Sequence, residues 1–443
     1  MTADIVEMIE TKKHKDLKDF LSKLNAIDLA DILETLDQEQ CVILFRSLNK
    51  DAAANVFSYL SPETKENLIK LLSDPELANI VNELFIDDAV DFIEEMPANV
   101  VKRILKNASE DTREQINQLL QYQEDSAGSI MTTEYVDLKG EMTVEDAFKR
   151  IRAVGMDKET IYTCYVVDNR RILDGVVTVR TLLLADAQDR VGAIMNSNVI
   201  YAFTSDDREE VAEKFQRYDL IAMPVVDAER HLVGIITVDD VMEVLEEEST
   251  EDFHRMAAIE PSDEPYLASG VFELAKKRIF WLLILMVSAT LSAGIITHYE
   301  HLLSVFPALI AAIPMLMDTG GNAGSQSSTL IIRGMAVGEI HVRDTMKVLW
   351  KELRVSFLVG GTLALVNIAY KWLLSGNFKL SLIIGLSLFA TVVFAKAIGS
   401  MLPMLAKTLK LDPALMAAPI VTTIVDACGL VVYFWVAEAV MHI

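Results

Sequence analysis

No glycine precedes Gly128 in this chain of 443 residues. Hairpins with tight turns need residues at positive φ, so a glycine-free stretch of this length argues against a β-rich N-terminal region. Cysteine is scarce. Cys41, Cys164 and Cys428 lie far apart with no CxxC spacing, which excludes a disulfide framework and a thiolate zinc site. The seven histidines are scattered, and no nucleophile–base constellation stands out, so nothing points to an enzyme. Positive charge is in deficit, with 40 Lys and Arg against 65 Asp and Glu, a net of −25. Such a field repels phosphate backbones and argues against nucleic acid as a partner. The opening residues, MTADIVEMIETKKHKD, contain no apolar core of a secretory leader. The N-terminal part is therefore expected to stay in a reducing cytosol.

What is present is unevenly distributed. Residues 1–261 carry 54 acids and 27 bases, a net of −27, whereas residues 262–443 carry 11 acids and 13 bases, a net of +2. The chain is nevertheless 51% hydrophobic, and nearly all long apolar runs fall in the second part. An acidic soluble portion joined to a membrane portion accounts for both facts, and cations are the natural partners of the first.

Between about residues 16 and 122, apolar residues recur at helical spacing in blocks of about two turns, such as DLKDFLSKL, DLADILETL and AVDFIEEM. SP, DP and MP dipeptides punctuate some of them. A superhelical stack of short helices fits, and an ordinary helical bundle fits as well.

An internal repeat follows. CYVVDNRRILDGVVTVRTLLL (164–184) matches MPVVDAERHLVGIITVDDVME (223–243), aligning Asp168 with Asp227 and Gly175 with Gly234. Upstream, Met131 matches Met195. Each copy reads as strand, helix, two apolar strands around an Asp turn, then helix. This repeated unit resembles a tandem pair of CBS domains, which are regulatory ligand sensors. Such nucleotide sites often hold the ribose with an Asp closing a T-x-x-D stretch. The second copy has it, from Thr237 to Asp240, but the first ends at Thr181 instead. That counts against ATP at the pair, although Arg180 can still meet a phosphate.

From Asp239 to Asp252 runs a strongly acidic helix, broken near Pro261–Pro265 and followed by Lys276, Lys277 and Arg278. It is either a solvated connector or a cation-responsive lever, since clustered carboxylates on one helix repel without a counter-ion. Five apolar segments then follow, at about 279–297, 302–331, 355–374, 380–406 and 414–440, each able to supply the ~20 residues a bilayer span needs. Lys and Arg gather before the first segment, after the second and after the fourth. That pattern puts the N-terminal part in the cytoplasm and the C-terminus outside.

Two segments carry polar chemistry. The second contains Asp318, Gly320, Gly321, Asn322, Gly324, Ser325, Gln326 and Ser327, a stretch tolerable at membrane depth only against protein or a wet cavity. Close packing through small residues is the alternative reading. The fifth places Asp426 near its middle, after Pro419, Thr422 and Thr423. A carboxylate there costs at least ~2.5 kcal/mol on insertion scales and usually lines an ion path. The structural alternative is an intramembrane salt bridge to Lys396, unless that lysine snorkels toward the cytoplasm.

An acidic helical domain (1–125), a CBS pair (126–248, as 129–190 and 191–248), a connecting helix and linker (249–278) and a pore domain (279–443) carrying "GGNxGxQ" and "PxVTTxxDxxG" together resemble the MgtE family of magnesium channels. The resemblance covers essentially the whole chain. It implies a multidomain fold, with an all-α superhelical N-terminal domain, an α/β tandem CBS pair and five membrane helices. It implies a homodimer in the cell membrane that admits Mg2+ passively through a pore on the two-fold axis. Asp426 would be the selectivity carboxylate, with Gly321, Asn322, Gly324, Gln326, Pro419, Thr422 and Thr423 lining the path. Cytosolic Mg2+ would close the pore by binding acids among Asp87, Asp88 and Asp91 in the helical domain and Asp207 and Glu209 in the second CBS copy. Further acids of that set are Asp239, Asp240, Glu243, Glu248, Glu251 and Asp252 leading into the connector. Two other classes stay open: a sensor whose membrane part is only an anchor, and a CBS-regulated transporter for another divalent cation, such as Co2+ or Mn2+, or another solute.

Overall fold

The computed structural model describes residues 2–11, 14–94, 96–262, 266–267 and 269–441. The chain divides into two compact units, Met1–Leu245 and Glu246–Ile443.

The first unit begins with short helices: α1 (Thr2–Glu10), α2 (His14–Leu21), α3 (Ala26–Thr35), α4 (Gln38–Ser47) and α5 (Lys50–Ser58). They continue as α6 (Pro62–Leu71), α7 (Asp74–Glu83), α8 (Ile86–Glu94), α9 (Ala98–Asn107) and α10 (Glu110–Leu119). Helices this short are marginal alone, so caps and packing must hold them. Asp37, Asn49, Ser61 and Ser109 each accept a backbone N–H at a helix start, and Ser73 forms a reciprocal capping box with Glu76. Helix α3 packs on α5, α5 on α7 and α7 on α9, burying Leu33, Phe57, Leu77 and Ile104.

Two three-stranded sheets follow, ordered β1-β2-β3 and β4-β5-β6. The first comprises β1 (Asp137–Leu138), β2 (Thr163–Val167) and β3 (Leu173–Thr178), with α11 (Val144–Val154) between β1 and β2 and α12 (Val179–Leu184) after β3. A short α13 (Val191–Ile194) leads to the second, β4 (Ala202–Phe203), α14 (Arg208–Tyr218), β5 (Ala222–Val226) and β6 (Leu232–Thr237). In each sheet the first pair is parallel and the second antiparallel, with an irregularity at Val166/Val167 and at Val225/Val226. Asp168 accepts the N–H groups of Arg170 and Ile172, and Asp227 those of Glu229 and His231. The repeat is thus real down to its turns.

Its halves, however, are exchanged. A side chain on Gly234 would meet Met131 Sδ at 2.6 Å, and one on Gly175 would meet Met195 Sδ at 2.7 Å. Thr132 bridges to Ile235, and Asn196 to Val176. The opening segment of each sequence copy therefore packs on the sheet of the other.

Helix α15 (Val238–Met256) carries the chain out of the first unit. Of the two prolines expected to break the connector, Pro265 lies outside the described residues. The second unit holds α16 (Val271–His298), α17 (Glu300–Val305), α18 (Ile313–Ala336), α19 (Thr345–Ser375), α20 (Phe378–Thr408) and α21 (Ala418–Met441). Among the described residues, four stretches are long and apolar enough to cross a membrane, namely Val271–His298, Val342–Ser375, Phe378–Thr408 and Pro413–Met441. The segment expected at 302–331 is not one helix. It divides into α17, a 3-10 turn at Pro307–Ala312, and α18, because Pro307 and Pro314 each lack an N–H and fit only at a helix start. The glycines and polar groups of α18 keep it below the hydropathy of the other four. Helices α18, α20 and α21 pack on one another, and α19 packs on α20, around Leu316, Ile384, Val392, Val421, Val425 and Tyr433.

Candidate ion path and cation-binding acids

Helix α18 presents two different faces. Gly320, Gly321, Gly324, Ser327 and Ser328 are buried, so close packing through small residues does occur. A side chain on Gly321 would touch Thr422 Cγ2 at 3.0 Å, and one on Gly399 would overlap the Gly324 carbonyl. Asp318, Asn322 and Gln326, spaced four apart, form the other face and are exposed. Close packing through small residues is thus seen on one side of the helix, Gly321 and Gly324 included, and the polar side chains lie on the other.

Helix α21 meets the glycine face with Val421, Thr422 and Val425. The Thr422 and Thr423 hydroxyls donate to the Pro419 carbonyl at 3.0 and 2.8 Å. Asp426 follows one turn on, half-buried, and close enough to Asp318 for the two charges to interact. The salt bridge considered for Asp426 does not form. Lys396 neither pairs with it nor reaches solvent. It is only 4% exposed and lies beside Glu352 on α19. Among the described residues Asp426 thus has no lysine partner.

The first unit gathers a second set of acids. Asp87, Asp88 and Asp91 on α8 interact electrostatically with Asp239, Asp240 and Glu243 at the start of α15. Asp87 is only 8% exposed. One of its carboxylate oxygens, one of Glu134 and one of Glu159 lie within 4.8 Å of one another. Glu134 also accepts the Ile86 N–H at 3.2 Å, while Glu159 Oε2 is buried without a hydrogen-bond partner. Asp240 accepts from the Thr237 backbone and hydroxyl at 3.3 and 2.7 Å. Three hard oxygen donors at this separation suit Mg2+ or Ca2+ rather than a softer metal.

Burial and mutual repulsion raise these groups. Burial, then the charges of Asp240 and Glu159, hold Asp87 well above the usual carboxylate range. Asp91 keeps its side chain exposed, yet protein crowding around its carboxyl, with the charges of Asp240 and Glu243, takes it to about 8. Burial, with Asp240 and Asp239, takes Glu159 to about 8. Asp240 rises to about 7, burial outweighing its bonds from Thr237, and Asp88 to about 6, burial exceeding the opposing pull of Lys65. An acid whose pKa is higher folded than unfolded binds its proton more tightly when folded. Stability then declines as pH rises from about 4, the unfolded value, through the folded values, and is regained as pH falls. With divalent cations chelated, the first unit is expected to resist limited proteolysis better at pH 6 than at pH 8.5. The opposite order would show that these carboxylates do not charge together.

The remaining candidates are placed differently. Asp207 caps α14, accepting the Glu209 N–H at 2.8 Å, so its carboxylate already has work. Glu248, Glu251 and Asp252 lie on the later half of α15. There Arg255 binds both Glu251 and Asp412. Burial, with the charges of Asp412 and Glu248, lifts Asp252 to about 6. Arg180 is exposed on α12, and Thr181 turns back to Thr178, their hydroxyls 2.9 Å apart. Sequence reasoning missed Glu134, Glu159 and Asp412. The first two are ordinary loop acids with no spacing signal, and Asp412 stands alone before Pro413.

Three family models match the chain: a divalent cation transporter model over residues 313–436, the MgtE intracellular N domain over 24–125, and the CBS domain over 127–188 and 191–247. The magnesium transporter MgtE of Thermus thermophilus is 42% identical over 331 residues, covering 75% of this chain and 73% of the relative. That of Bacillus subtilis is 31% identical over 361 residues, covering 82% and 80%. Among solved structures, the cytosolic domain of the Mg2+ channel MgtE in complex with ATP matches with a TM-score of 0.53 at 38% identity, over 55% of this chain and 100% of that one. The soluble part of a magnesium transporter matches with a TM-score of 0.54 at 28% identity, over 56% and 98%. With its helical region, its CBS pair and its helices from Ile313 onward all accounted for, the chain belongs to the MgtE family of magnesium transporters.

Proposed function

We propose that the chain is a Mg2+ channel, passive in flux and closed by the ion it admits. The observation that carries this reading is Asp426, a half-buried carboxylate in an apolar helix, facing a helix with an exposed polar stripe. Mg2+ surrenders its waters reluctantly. A path of carboxylate, amide and hydroxyl oxygens can pass it with its water shell largely kept, Asp426 supplying the charge. Asp318, Asn322 and Gln326 cannot face lipid without cost. A second copy across a two-fold axis covers them and brings two Asp426 carboxylates to one path, so the assembly is a homodimer.

Helix α18 counts as a fifth span, its polar stripe turned inward. Lys276, Lys277, Arg278, Arg333, Arg343, Lys347, Lys351, Arg354, Lys407 and Lys410 then mark the cytoplasmic side, with the C-terminus outside the plasma membrane. The alternate packing of α3, α5, α7 and α9 supports a superhelical N-terminal domain.

The sensor is the acid cluster around Asp87, Glu134, Glu159 and Asp240, with Asp88, Asp91, Asp239 and Glu243 beside it. Mg2+ there replaces protons and repulsion with shared coordination. It favours the compact state by as much as it binds that state better. Helix α15 continues to Glu248, Glu251, Asp252 and Arg255, and Arg255 pairs with both Glu251 and Asp412, just before the pore helix. Nucleotide is the weaker ligand: the first CBS copy lacks the ribose carboxylate, and Asp240 of the second is committed to Thr237 and the acid cluster.

Ion flux into liposomes tests the proposal. Mg2+ is expected to enter down its gradient without ATP, and millimolar Mg2+ on the cytosolic face to slow entry. Co2+ or Mn2+ entering in place of Mg2+ would favour a transporter for another divalent cation, and no flux of any would leave a membrane-anchored sensor.

A further inference from the structure

Helix α19 buries a row spaced four apart, Val348, Glu352, Ser356, Gly360 and Ala364. All but Glu352 are small or apolar. Opposite lies Lys396, in an α20 surface otherwise made of Thr391, Val392, Ala395, Gly399 and Ser400. Glu352 is 9% exposed and Lys396 4%. Their charged groups stand 3.8 Å apart, and Ser327 of α18, fully buried, joins them. Its hydroxyl donates to Glu352 Oε2 at 2.6 Å and accepts from Lys396 Nζ at 3.1 Å. Three helices thus converge on one hydroxyl.

A buried ion pair is poor evidence for stability, because apolar replacements of similar volume often do as well or better. What it supplies is geometry. Ser327 directly follows Gln326, which lies on the exposed polar face, and comes one turn after Gly324, where α18 meets α20 backbone to backbone. Residues three apart on a helix point about 60° from one another, so a rotation of that size replaces the stripe of Asp318, Asn322 and Gln326 with Gly321, Ser325 and Thr329, or with Met315, Thr319 and Ala323, and removes its one carboxylate. The glycine contact permits such rotation, since it offers no side chain to lock. We infer that the Glu352–Ser327–Lys396 bridge is a positioning device that sets the rotation of α18 and thereby which oxygens face the permeating ion. The inference rests on the proposed reading of α18 as lining the path.

The test compares full-length variants reconstituted in equal, folded amounts. Glu352→Gln/Lys396→Met strands no charge, and Ser327→Ala keeps both charges but removes the bridge. Both are expected to slow Mg2+ entry, by roughly 10- to 100-fold if groups along the path are displaced by about 1 Å. Both should also shift the ratio of Mg2+ to Co2+ entry, which a merely structural pair would leave alone. Wild-type rate and ratio in both variants would overturn the inference. If the double variant does not fold, Ser327→Ala decides alone. Wild-type protein that admits no Mg2+ in the same vesicles would instead overturn the proposed function.

Discussion

Asp426→Asn is expected to abolish Mg2+ uptake while leaving the amount of folded protein unchanged or higher. The substitution keeps the side chain's size and removes its charge. Hydrogen bonds to a charged group contribute roughly 1.5–3 kcal/mol each, and a two-fold assembly loses one such site from each copy. At about 1.4 kcal/mol per tenfold, the loss is on the order of 100- to 10,000-fold in occupancy of the path. The fold loses little, because Asp426 has no lysine partner to strand. It is also relieved of an insertion cost of at least ~2.5 kcal/mol. Uptake at the wild-type rate would remove Asp426 from the path. A variant that failed to fold would show instead that the carboxylate has a structural partner.

Asp87→Asn/Asp91→Asn/Asp240→Asn is expected to uncouple the cytosolic region from Mg2+, with two effects of opposite sign. Without divalent cation, the variant should resist trypsin better than wild type at pH 8, since three acids whose charging opposes the compact state are gone. With millimolar Mg2+, it should gain almost nothing further, whereas wild type should become far more resistant. A ligand at a hundred times its dissociation constant adds ~2.7 kcal/mol, about a hundredfold in the population open to protease when cleavage tracks that population. The same variant is expected to keep taking up Mg2+ when the cytosolic side is already loaded. Closing a gate from 1:99 to 99:1 needs ~5.5 kcal/mol of differential binding, more than the connector acids Glu248, Glu251 and Asp252 would supply alone. Equal Mg2+ protection in variant and wild type would move the sensor elsewhere.

The organisation was legible because it is written in period and composition. The glycine-free blocks became short capped helices, and Asp168 and Asp227 became matching turns. Asp426 could be singled out because a carboxylate in an apolar span has few uses. Three things were not legible. Which of Asp87, Asp88 and Asp91 is buried depends on the rotation of α8 against residues far along the chain, and local spacing cannot fix that. Glu134 and Glu159 join the cluster only because the CBS loops fold against α8. Lys396 lay within plausible reach of either Asp426 or the cytoplasm. Its true partner, Glu352, sits among Lys347, Lys351 and Arg354, where it reads as one more charge in a basic stretch.

The exchange of opening segments between the CBS copies bears on how the chain comes into being. Met131 cannot reach its place on the second sheet until Gly234 has been made, and Gly175 stays bare until Met195 follows. A nascent chain lengthens by roughly 5–20 residues per second and usually folds domain by domain. Here the first copy must wait, unfinished, for the second, and the two close together. A chain interrupted near residue 190 would not leave half a sensor; it would leave an apolar sheet with its cover still unmade.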